Sequence, residues 1–159
     1  MISELQTRIS ARALTVWRIS AVIKTVVGWA ITVVVMTLIN VFNGPVWVSY
    51  MIGLLGALFT YLNIYLFPKI RWQRWRYEVR EEEIELQHGI IFTARTLIPM
   101  VRIQHVDMIQ GPLLRKYKLA SVVVSTAASN HEIPAIEESE AEELRFYISK
   151  LARIAEDDV

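Results

Sequence analysis

From Thr25 to Pro68 the chain carries no Asp, Glu, Lys, Arg or His, and from Arg71 onward polar and apolar residues alternate. Residues Thr25–Phe42 are eighteen in number and uncharged, which as a helix reaches about 27 Å, close to the hydrocarbon thickness of a bilayer. The helix is expected to start near Ile19, with Lys24 reaching out to the headgroups. Asn43-Gly44-Pro45 then places two helix breakers in a row. Val46–Phe67 gives a second apolar run of twenty-two residues before Pro68. Two spans joined by so short a loop must form an antiparallel helical hairpin. A cleaved signal peptide is disfavoured, because a second span follows at once with no small-residue cleavage site.

After Trp75 the period becomes that of a strand. Tyr77 and Val79, then Ile84 and Leu86, flank an acidic turn at residues 81–83 and predict a β-hairpin. The run from Gly89 to Met100 predicts one or two strands with a bend at Thr93–Ala94. Further strands are expected at 102–109, 120–126 and 131–136. Ser139 with Glu142 has the spacing of a capping box, and Ala141, Leu144, Ile148, Leu151 and Ala155 mark one face of a closing helix. Short, closely spaced strands favour an antiparallel sandwich or barrel over a parallel sheet. The fold class expected is α+β: a two-helix transmembrane hairpin, then an antiparallel β-sandwich or barrel with a C-terminal capping helix. The divisions are an N-terminal segment 1–18, a hairpin 19–68 and a water-soluble domain 69–159.

Charge sharpens this division. Residues 1–76 hold eight Lys/Arg against one acid, and residues 77–159 hold nine against fifteen. A domain of that sign repels phosphate, so nucleic acid is not an expected partner. Arg8, Arg12, Arg18 and Lys24 precede the first span, and Lys69, Arg71, Arg74 and Arg76 follow the second. The positive-inside rule therefore puts both termini in the cytoplasm of a two-span cell-membrane protein. Trp47 and Tyr50 suit the outer interface, and Trp17, Trp72 and Trp75 the inner one. The absence of cysteine excludes disulfides, a thiol nucleophile and Cys-ligated metal.

His105 and Asp107, two apart on a predicted strand, are the one pairing that looks like site chemistry. Alternation puts them on a face with Val101, Ile103 and Ile109, while Arg102, Gln104, Val106, Met108 and Gln110 take the other. A metal site would need a third ligand, and His88 and His131 lie in other segments. No serine stands in a nucleophile elbow. A structural part explains more: Asp107 bonds backbone N–H groups or Arg102 or Arg95, and Gln110-Gly111-Pro112 ends the strand in a turn. No catalytic, cofactor or metal residue is assigned. Arg115-Lys116-Tyr117-Lys118 remains as a basic loop with an aromatic in an acidic domain, a candidate contact for headgroups or a partner.

Tyr77–Arg80, Gly89, Ile98-Pro99, Arg102-Ile103-Gln104, Val106-Asp107, Gln110-Gly111-Pro112 and Leu119-Ala120 together resemble the bacterial pleckstrin-homology domain of the YdbS-like membrane proteins. The likeness covers about residues 10–155. It implies a pleckstrin-homology-like fold of two packed antiparallel sheets with a C-terminal helix across one end, and no enzymatic reaction. One departure stands out: Lys118 occupies a place where members often have glycine, which predicts a turn that is looser or differently shaped. The expected function is a membrane-tethered, non-enzymatic module for protein–protein assembly at the inner face of the membrane. Its partners would be the bilayer and another membrane protein, either a related pleckstrin-homology chain or a second copy of itself. The alternative is lipid sensing through residues 115–118.

Overall fold

The computed structural model describes residue 5 and residues 7–157. These form two compact units, Trp17–Ile70 and the combination of Met1–Val16 with Arg71–Val159.

The first unit is the hairpin. Helix α1 (Arg12–Val41) and helix α2 (Val46–Arg74) are both long and apolar enough to cross a membrane. Their apolar side chains remain exposed, as spans facing lipid require. Between them Asn43 adopts a left-handed φ of 53°, and the Gly44 N–H donates to Ile39 O at 2.8 Å. A Cβ on Gly44 would sit 2.7 Å from Ile39 Cγ2, so glycine is required there. Polar side chains inside the apolar runs find acceptors locally, as hydrocarbon demands. Asn40 Nδ2 donates to Met36 O at 2.8 Å, Asn63 Nδ2 to Phe59 O at 3.0 Å, and Trp29 Nε1 to Thr60 Oγ1 at 2.9 Å across the helices. Gly56 lies against the Trp29 ring, which lets the helices approach. Residues 62–66 of α2 form a π-helical turn. Helix α1 starts at Arg12, seven residues before the predicted Ile19.

The second unit is a sandwich. Strands β1 (Thr7–Arg8), β2 (Arg76–Val79), β3 (Glu83–His88) and β4 (Ala94–Pro99) form one antiparallel sheet in that order. A 3-10 turn (Met100–Arg102) leads to the second sheet of β5 (Ile103–Ile109), β6 (Leu119–Thr126) and β7 (Asn130–Glu137), also antiparallel in chain order. A short helix α3 (Pro112–Lys116) joins β5 to β6, and α4 (Glu138–Asp157) packs on β5, β6, β7 and the 3-10 turn. Leu5, Ile84, Leu86, Met100, Leu119, Val122, Val124, Ile133, Ile136 and Ile148 are fully buried and form the core. Tyr77 on β2 donates its hydroxyl to Glu140 Oε1 on α4 at 2.9 Å. Burial, then the Glu140 carboxylate, raise the pKa of that phenol, so it stays a donor at neutral pH.

Three expectations are corrected. The N-terminal segment does not stand apart from the domain: Thr7 and Arg8 pair with Tyr77 and Arg76, and Leu5 and Ile9 are buried. The helical hairpin is thus an insertion between the first two strands of the domain. Ser139 is not the cap of α4, because β7 runs straight into the helix at Glu138, whose N–H is taken by Lys118 O at 3.1 Å. Trp75, expected at the membrane interface, is buried and stacks on the His88 ring at 6.1 Å.

Candidate functional site

Strand β5 carries the motif residues, and a bulge decides which way they point. Ile103 pairs with Thr126 and His105 with Ser125, so Gln104 has no partner and the alternation slips by one. Beyond the bulge Val106 and Met108 turn inward, while His105, Asp107 and Ile109 are exposed. The shared face expected for His105, Asp107 and Ile103 is therefore broken between Ile103 and His105.

Asp107 is corrected as well. It makes no hydrogen bond or ion pair with any described residue, although Arg102 or Arg95 was expected to hold it. Arg95 is engaged on β3 instead, with Nε to Gln87 Oε1 at 3.1 Å and Nη1 to Glu85 at 3.5 Å. Removing the Asp107 carboxylate takes no bond from the fold. His105 Nδ1 lies 2.6 Å from the adjoining Gln104 O. His131 Nε2 lies 2.8 Å from Ser129 Oγ. Among the described residues no three His, Cys, Asp or Glu side chains are grouped to hold a metal ion.

Gln110 does have a structural part: its Nε2 donates to Leu119 O at 3.0 Å, tying the end of β5 to the start of β6. Gly111 and Pro112 open α3 rather than a simple turn, with Pro112 at the first helical position where its missing N–H costs nothing. The predicted basic loop is the end of this helix. Arg115 and Lys116 form its last turn, Tyr117 closes it, and Lys118 follows with φ 54°. Lys118 N–H donates to Arg115 O at 3.1 Å. The turn is tight, not loose, and lysine holds the left-handed conformation that glycine takes without strain. Replacing Lys118 by glycine is expected to leave the domain as stable or stabilise it by up to about 1 kcal/mol, while Lys118→Val destabilises it by about 1–3 kcal/mol. Thermal or denaturant midpoints of the two variants check this.

Two clefts border β5. One, of about 1050 Å³, opens between β4 and β5 and is lined by Leu97, Val101, Arg102, Gln104, His105 and His131 among others. The other, of about 400 Å³, lies between β5 and α4 and is lined by Gln104, His105, Asp107, Ser149 and Arg153. The fold thus brings His105 and His131 to one cleft, which their spacing did not foretell. Both β4 and β5 are edge strands of their sheets. Leu97 and Val101, 54% and 50% exposed, give the larger cleft apolar walls. These walls went unrecognised in the sequence, since alternation alone cannot distinguish an open sandwich corner from a closed one. The basic group 115–118 lies outside both clefts, and Arg115, Lys116 and Lys118 are exposed.

The family profile described as "Bacterial PH domain" matches residues 9–152. The chain is 47% identical over 152 residues to the UPF0699 transmembrane protein YdbS of Bacillus subtilis (strain 168), covering 96% of each chain. It is also 28% identical over 100 residues to the UPF0699 transmembrane protein YdbT of the same organism, which is 60% of this chain and 20% of that one. No solved structure matches the chain. The two apolar helices, the two antiparallel sheets, the closing helix and these matches agree: the chain belongs to the bacterial PH domain family, as a transmembrane member.

Proposed function

We propose that this protein is a membrane-tethered assembly module with no reaction of its own, holding another membrane protein through the cleft beside β5. The observation that carries the reading is the open corner between β4 and β5. Two edge strands face a cleft of about 1050 Å³ with half-exposed Leu97 and Val101 on its walls. Edge strands present unpaired backbone groups, and a partner segment can add to them as a further strand while its side chains fill apolar pockets. The partner is a related PH-domain chain or a second copy. A photo-crosslinking residue at Leu97 in native membranes is expected to capture one defined membrane protein. Val101→Asp is expected to reduce that capture at least about tenfold, a loss of about 1.4 kcal/mol or more. Capture unchanged by Val101→Asp would overturn the reading.

A second reading is lipid binding through Arg115, Lys116, Tyr117 and Lys118. It is favoured by three exposed basic side chains without an ion pair to any described residue. Binding of the full chain's domain to anionic headgroups, abolished by Lys116→Glu with Lys118→Glu and insensitive to Val101→Asp, would move the function there.

In either case the domain faces the cytoplasm in this proposal, supported by four basic residues before the first span, four after the second and none in the connecting turn. A single cysteine replacing exposed Phe42 is expected to react with an impermeant thiol reagent from outside intact cells, and one replacing Asn130 only after lysis. The reverse pattern would invert the topology.

A further inference from the structure

Residues 89–93, between β3 and β4, end in an apolar tip. Ile91 and Phe92 are 79% and 86% exposed, more than any other large apolar side chain among the described residues of the soluble unit. A water-soluble domain normally hides such groups or uses them.

The tip is held in place by two features. Gly89 has φ +135°, and a Cβ there would collide with Phe92 O, so the loop can close only over glycine. Arg74 Nη1 donates to Ile90 O at 2.7 Å and to Ile91 O at 3.3 Å. Arg74 is the last residue of α2 and belongs to the same compact unit as the loop. It stands seven residues beyond Phe67, where the apolar run ends, which along a helix is about 10 Å. Headgroups occupy about 5–8 Å on each side of the hydrocarbon. Arg74 therefore stands just past the water-facing edge of the headgroup layer, and its side chain bonds directly to the tip. Arg71 and Arg74 put positive charge on the same compact unit as the loop, and an apolar tip beside basic residues has the composition of an interfacial contact.

We propose that Ile91 and Phe92 seat in the lipid interface, so that the β3–β4 loop is a further membrane contact of the domain besides the two helices. The site is separate from the β4–β5 cleft and from residues 115–118, and it stands whichever of those serves the partner. It also requires no particular sidedness, because the loop is tied to Arg74, which follows the second span in the chain.

The chain has no cysteine among its residues, so a single Phe92→Cys in the full chain can carry an environment-sensitive fluorophore in lipid nanodiscs containing anionic lipid. Glu81→Cys, in the turn at the opposite end of β3, is the reference. The label at 92 is expected to be quenched several-fold more by lipids bearing a nitroxide near the headgroup, and several-fold less by aqueous iodide, than the label at 81. Ile91→Cys is expected to repeat the result, which guards against an effect of losing the phenyl ring. Iodide access equal to that at 81 would overturn the proposal. Shielding from iodide without quenching by nitroxide lipid would also overturn it, since protein and not lipid would then cover the tip.

Discussion

Replacing Leu5 and Ile9 together by alanine is expected to unfold the soluble unit while the helical hairpin stays intact. Both side chains are almost completely buried, at 1% and 2% exposure. Large-to-small changes at such sites cost about 2–5 kcal/mol each, and a domain's whole stability is about 5–15 kcal/mol. The backbone adds to the effect. Thr7 and Arg8 pair with Tyr77 and Arg76, Arg76 Nη1 donates to Leu5 O at 3.4 Å, and Trp72 Nε1 donates to Ser10 O at 3.1 Å. The paired strand lies before the first span and its partner after the second, so the sheet closes only when both spans have been made. Limited proteolysis and denaturant unfolding in detergent check the prediction, with Leu97→Ala at a half-exposed position as the control. A double variant that keeps the wild-type midpoint would show that the N-terminal segment is not part of the domain. A fragment beginning at Tyr77 is expected to fail for the same reason.

Ala135→Val is expected to be the most damaging small-to-large substitution in the second sheet. Ala120 pairs with Ile136 and Val122 with Ile133, so Pro134 and Ala135 bulge opposite Ser121. Ala135 lies in the left-handed region at φ 50° and is 1% exposed, and its N–H donates to Ser121 Oγ at 3.4 Å. A β-branched side chain there meets backbone strain of about 1–3 kcal/mol and core overpacking of about 1–3 kcal/mol. Ala135→Gly removes the strain and leaves the space, so it is expected to stay within about 1 kcal/mol of wild type. Thermal unfolding of the two variants distinguishes them. Equal midpoints for valine and glycine would show that the bulge relaxes freely.

Much of the architecture is legible in the sequence, because it depends on local pattern. Forty-four residues without an Asp, Glu, Lys, Arg or His must lie in hydrocarbon or in a core of unusual size. Asn43-Gly44-Pro45 can hardly do anything but turn. The alternation of Tyr77, Val79, Ile84 and Leu86 matches the pairs Tyr77–Leu86 and Val79–Ile84 in the structure. The apolar positions of α4 predict its buried face, on which Ala141 and Ile148 are fully buried.

Tertiary structure alone decided the rest, and the reason is the same in each case: the deciding interaction joins residues far apart in the chain. Two residues of strand at Thr7–Arg8 have no readable period, and only pairing across sixty-seven residues of intervening chain makes them an edge of the sheet. The bulge at Gln104 reverses the faces of β5 because β6 dictates the register, so His105 and Asp107 point outward where strict alternation grouped them with Ile103. Lys118 looked like a loosened turn, yet its carbonyl anchors the first N–H of α4 and its own backbone is held left-handed. Arg74 read as a charge that sets topology, and the fold gave it the carbonyls of Ile90 and Ile91 as well. Hydropathy and period determine which segments enter the membrane, pair as strands or coil as a helix. Which edges stay open and which apolar side chains are left uncovered follow only from how those segments close on one another.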